Sequence, residues 1–122
     1  MKPLLFFTSL LYLATAWAGP FEDATAAYER ADYASALRLL RPLAAQGDAS
    51  AQSNLGLMYT NGQGVAQDYV RAHMWFNVAA VYGHPDGAKN SGIVAKLMSA
   101  QQIAQARQLA FDCQQRKFKG CD

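Results

Sequence analysis

The sequence predicts an all-α fold: a short α/α superhelix of about three antiparallel helix pairs behind an N-terminal export segment. Three observations carry this. Apolar residues recur at helical intervals along most of the chain, polar caps and glycines punctuate those stripes, and a helix-pair pattern returns after a shift of 36 residues. No stretch alternates with period two long enough to suggest a strand.

The export segment comes first. Lys2 precedes an apolar run from Leu4 to Leu13, then Ala16-Trp17-Ala18 stands before Gly19-Pro20. A positive start, a short apolar stretch and small residues before a cut describe a signal peptide over 1–18, with cleavage between Ala18 and Gly19. An uncleaved anchor is the alternative, but the run is shorter than the roughly 20 apolar residues a membrane span needs. Gly19, not a cysteine, stands directly after the cut, so a lipid-anchored product is not expected.

The remainder, 19–122, reads as one domain. Phe21, Ala24, Tyr28 and Ala31 form a first stripe, with Glu22 and Asp23 favourably opposing the helix dipole. After a break at Asp32-Tyr33, Ala36, Leu40, Leu43 and Ala44 form a second, closed by Gly47. Pro42 should kink or loosen that helix. Asp48 caps a third helix carrying Ala51, Leu55, Met58 and Tyr59. The clearest loop runs from Asn61 to Gln67, with Gly62 and Gly64. Asp68 caps a fourth helix, striped by Ala72, Trp75, Phe76, Ala79 and Ala80 and ending at Gly83. Trp75 is expected in the core. Pro85 suits the first turn of a fifth, with Ala88, Val94, Leu97 and Met98 inward. Ser99 and Gln102 have capping-box spacing for a sixth, with Ile103, Ala106, Ala110 and Cys113 on one side.

Composition narrows the function. The formal charge is +2, or +1 once Lys2 is removed, which offers no electrostatic footprint for nucleic acid. The two cysteines, Cys113 and Cys121, do not form a CxxC motif and have no nearby histidine, so an exported chain points to a disulfide between them. Two free thiols or a bond between molecules are the alternatives. An unbroken helix would hold their Cα atoms roughly 12 Å apart, whereas a disulfide needs less than about 7 Å. The helix must therefore stop between them, and Gly120 could help the tail fold back. Phe118 would then cover the exposed end of the solenoid.

The repeat unit itself is visible. Ala44-Ala45-Gln46-Gly47 returns as Ala80-Val81-Tyr82-Gly83, a spacing typical of solenoids. The stretch from Ala51 to Gly83 resembles a Sel1-like repeat across its length, through Ala51, Leu55, Gly56, Tyr59, Gly62, Gly64, Val65, Asp68, Ala72, Trp75, Ala79, Ala80 and Gly83. On this reading 21–47 is a partial repeat with a tetratricopeptide-type turn, 48–83 a complete one, and 84–122 a degenerate C-terminal capping unit. The resemblance implies a scaffold or adaptor that binds another protein. Its signature residues are expected to be structural, with Gly62 and Gly64 permitting positive φ. The partner-binding residues stay unassigned.

No catalytic, metal or cofactor site is expected. His73 and His84 lack a second histidine at ligand spacing and read as surface or capping residues. Asp86 near His84 has no accompanying nucleophile, and Ser99 is better used as a cap. The enzymatic alternative comes from exported cysteine-containing Sel1-like proteins associated with β-lactam binding and hydrolysis. Those carry a cysteine pair in each repeat, whereas this complete repeat has none, and Ser-x-x-Lys does not occur. The expected product is an exported, non-catalytic monomer, periplasmic or secreted, without stable membrane insertion. N-terminal sequencing of exported material should begin at Gly19; retained Met1 would contradict the assigned cut.

Overall fold

The computed structural model describes residues 19–122; the expected signal segment, 1–18, lies outside them. Six helices follow in order: α1 Pro20–Glu29, α2 Tyr33–Ala45, α3 Ala49–Asn61, α4 Tyr69–Val81, α5 Gly87–Ala95 and α6 Ala100–Gln115. No strand occurs among the described residues. Consecutive helices pack on one another from α1 to α5, and α6 returns to pack on α4. The architecture is an all-α solenoid.

The helix starts follow side-chain chemistry. Asp32, Asp48 and Asp68 each accept a hydrogen bond from the backbone N–H three residues on, at Ser35, Ala51 and Arg71. Each satisfies a donor that the first turn leaves unpaired. Ser99 and Gln102 close a reciprocal capping box on α6. At α1, Pro20 occupies the first turn, Glu22 and Asp23 follow it, and Gly19 supplies no side-chain cap.

The helix ends share one device. Beyond α2, Gly47 takes φ +95° and the Asp48 N–H donates to the Leu43 carbonyl. Beyond α4, Gly83 and His84 do the same towards Ala79. This left-handed reversal satisfies carbonyls that the last turn leaves free. α1 makes the same reversal with Ala31 at φ +61°, Asp32 donating to Ala27. An alanine there costs about 1–2 kcal/mol relative to a relaxed conformation. Ala31 is therefore exposed in the turn and not part of the inward stripe, which is Ala24 and Ala27. The break falls at Arg30–Asp32, and Tyr33 already belongs to α2. That helix runs through Pro42, which is exposed, as far as Ala45.

Helix α4 is the centre of the core. Ala72 to Phe76, Val78 and Ala79 are all buried, with Trp75 2% and Phe76 1% exposed. A helix apolar on nearly every side must be covered on nearly every side, here by α3, α5 and α6. Leu40, Leu55, Met58 and Val94 fill the surrounding layers. His73, expected at the surface, is 4% exposed, because α6 closes over the face that a helix pair alone would leave open.

Two glycines set how closely α4 is approached. A Cβ on Gly56 would lie 2.5 Å from the Phe76 ring, and one on Gly87 would lie 2.7 Å from the Ala80 nitrogen and 2.8 Å from the Phe76 oxygen. α5 thus starts at Gly87, with Pro85 outside it. Its inward positions are Gly87, Ser91 and Val94. Ala88 and Leu97, expected inward, are exposed, and Met98 is half-buried. The stripe is displaced because the tightest contact, at Gly87, fixes the rotation of the helix.

Substitution separates space from propensity. Gly87→Ala should destabilise by about 1–3 kcal/mol, since the obstructing atoms are backbone. Gly92→Ala, in the same helix with nothing within 4 Å of the added Cβ, should stabilise by about 0.4–1 kcal/mol. Urea denaturation of both variants checks this; equal stabilities would contradict the close approach.

Candidate functional site

Most repeat-signature side chains are committed to structure. Ala51, Leu55, Gly56, Tyr59, Ala72, Trp75 and Ala79 are buried, while Ala80 is half-buried beside Gly87. Gly62 and Gly64 hold φ +66° and +74°, and Asp68 caps α4. Val65 packs against the core from the loop. A Cβ on Gly64 would meet Leu37 at 2.8 Å and Tyr33 at 3.0 Å, so the loop lies tightly against α2. Gln63 fastens it further: its Oε1 accepts from Tyr28 Oη at 2.9 Å, and its Nε2 donates to Tyr33 Oη at 3.4 Å.

Tyr59 and Trp75 do more than fill volume. Their rings are buried, but both polar tips reach the same carboxylate, Asp122. Tyr59 Oη donates to Asp122 Oδ1, and Trp75 Nε1 donates to it at 3.3 Å. From α2, Arg41 Nε donates to Asp122 Oδ2 at 2.7 Å, and from α4 the Arg71 guanidinium stands 4.0 Å from Oδ1. One carboxylate, 20% exposed, thus gathers groups from three helices.

The chain reaches this point by reversing direction. After α6, Lys117 and Phe118 adopt φ +53° and +68°, and the Phe118 N–H donates to the Cys113 carbonyl. Gly120 follows at φ +67°, and a disulfide joins Cys113 to Cys121 with their Cα atoms 5.2 Å apart. Phe118 was expected over the end of the solenoid. It packs instead edge-on against Tyr82, centroids 4.8 Å apart, and beside Gly47. The double left-handed turn sends the tail back across α2 and α4, away from the terminal face.

Electrostatics favours a carboxylate here. The hydrogen bond that Arg41 donates to Asp122 holds its guanidinium above its usual range despite partial burial. Tyr59 is raised, first by burial and then by Asp122, so its phenol stays protonated as a donor. Arg71 also pairs with Asp68 at 3.3 Å and stands 6.0 Å over the Tyr59 ring. A half-exposed ion pair such as Arg41–Asp122 contributes about 0.2–1 kcal/mol by itself. Convergence of several donors from rigid helices is what distinguishes the site. Sequence reasoning missed it: Arg41, Arg71 and Asp122 belong to no motif, and only Cys121 hinted that the tail returns.

Other candidates stay apart from it. His84 Nδ1 accepts from the Asp86 backbone N–H at 3.3 Å, and Ser99 serves as a cap. Among the described residues no group of three or more His, Cys, Asp or Glu is placed to hold a metal ion. No helix among them is long and apolar enough to cross a membrane.

The helix pairs, turns and loop define an α/α repeat solenoid. A family model described as the Sel1 repeat matches residues 25–48 and 49–80, so the chain carries two Sel1-like repeats. Among solved structures it is similar to a protective antigen present in uropathogenic Escherichia coli strains that displays an SLR fold. Identity is 30% and the TM-score 0.77; the match covers 84% of this chain and 23% of that one. No curated protein matches the chain.

His73 supplies a pH test. Burial, with the positive charge of Arg107 second, lowers its pKa below the ordinary 6.5. Its Nδ1 contacts Asn77 Nδ2 at 3.1 Å, which suits a neutral, accepting ring. The unfolded chain takes up this proton near pH 6.5, the folded chain only at lower pH. Stability is therefore present above about pH 6.5 and lost as pH falls through the interval below it. Thermal melting between pH 7.5 and 5 should show this loss, and His73→Gln should reduce it; parallel curves would contradict the assignment.

Proposed function

We propose that the chain is an exported protein-interaction module, a scaffold or adaptor without catalytic chemistry, acting in the periplasm or outside the cell. The observation that carries this is the two-repeat match on a solenoid whose signature side chains are committed to packing and turns. What such a framework presents to solvent is a surface between helices, suited to hold a partner. The N-terminal export pattern and the Cys113–Cys121 bridge support an oxidising location. The chain spans about a quarter of the antigen it resembles.

Cross-linking and affinity capture with the full chain from its native envelope should recover a saturable protein partner, and a chromogenic β-lactam should not be turned over. Absence of any partner above background, or measurable hydrolysis by the purified protein, would overturn the reading.

A further inference from the structure

We infer that the groove across α2, α3, α4 and α6 is a binding site for an extended acidic segment of a partner protein, and that Gly120–Asp122 occupies it in cis. The inference deepens the reading of the chain as an interaction module and rests on it.

Four features converge. Arg41, Tyr59 and Trp75 donate to the Asp122 carboxylate, with Arg71 at 4.0 Å. These groups stand on three packed helices, which fix the backbone positions from which they reach the tail. Cations also outnumber anions. Arg41, Arg71 and Arg116 face the groove, where the chain supplies Asp122 and Asp68, the latter already engaged in capping α4.

The tail also divides a larger space. On one side lies a cavity of about 460 Å³ bordered by Arg71, Met74, Leu109 and Arg116. On the other lies one of about 330 Å³ bordered by Arg41, Pro42, Trp75 and Phe118. Gly120, Cys121 and Asp122 line both, so this strip is the partition between them. Finally, the resident carboxylate is partly open to solvent. Its contacts are all side-chain contacts, and the Arg41 side chain is 48% exposed, leaving an approach for a competitor.

These features select the ligand class. Apolar walls at Trp75, Met74 and Leu109 beside guanidinium groups suit a peptide with an acidic side chain, as the resident segment itself is. The disulfide keeps Asp122 next to the groove at high local concentration, so an incoming carboxylate must compete with it. Removing the resident carboxylate should therefore reveal affinity that the parent conceals.

The test uses the oxidised full chain and its Asp122→Ala variant. The probe is a fluorescein-labelled peptide, Phe-Lys-Gly-Ser-Asp, amidated at its C-terminus so that its Asp side chain carries the carboxylate. By fluorescence anisotropy, Asp122→Ala should bind it at least tenfold more tightly than the parent does. The same peptide with Asn for Asp should bind at least tenfold more weakly, and Arg41→Ala added to Asp122→Ala should abolish the gain. If Asp122→Ala fails to fold, Asp122→Asn, which keeps the side-chain shape, is read the same way. Equal binding by parent and folded variant, or equal affinity for the Asp and Asn peptides, overturns the site. Envelope capture that succeeds equally with parent and variant, in the absence of peptide binding, would overturn this site while leaving the interaction module standing.

Discussion

Helix α4 touches α3, α5 and α6, and these contacts coexist only because small residues stand where the neighbours press closest. Gly56 yields to the Phe76 ring and Gly87 to the backbone at Phe76 and Ala80. Ala72 and Ala79 keep the helix slender, while Trp75 and Phe76 fill the volume left between layers. Dense interiors tolerate neither added nor missing volume easily. The positions of α3, α5 and α6 are therefore dictated together, and every other feature is arranged around that cluster.

The helices were readable from local chemistry. Asp48, Asp68 and Ser99 announced three helix starts because a capping oxygen acts within three residues of itself. Gly47, Gly62 and Gly83 announced helix ends because only glycine adopts their backbone angles cheaply. What failed depended on partners far along the chain. Ala31 looked like a core residue by spacing but serves the turn. The α5 stripe was misread because Gly87, which carries no hydrophobic signal, fixes its rotation. His73 reads as a surface residue because α6, which closes over it, begins only at Ala100.

The candidate site was the least legible part. Tyr59 and Trp75 stood out as repeat residues, but nothing in their spacing separated a ring that only fills space from one whose polar tip reaches a groove. Arg41 lies before the complete repeat and Asp122 far beyond it, and hydrogen bonds between such distant residues leave no periodic trace. The disulfide was legible as a pair, since compartment and spacing suggested it. The direction of the returning tail was not. It depends on Lys117 and Phe118 both turning left-handed, which their side chains give no reason to expect.

The corner between α2 and α3 has a mechanical consequence. Asp48 ends the reversal of one helix through its backbone N–H and caps the next through its side chain, and Asp32 does the same between α1 and α2. Neither corner has a spare residue, so changing the angle between its helices breaks hydrogen bonds at two helix ends together. At the α4–α5 junction the duties are spread over His84, Pro85 and Asp86, and Asp86 makes no side-chain cap. The first two corners thus each couple two helix ends through one residue, whereas α5 is held to α4 by the close approach at Gly87 and not by its cap.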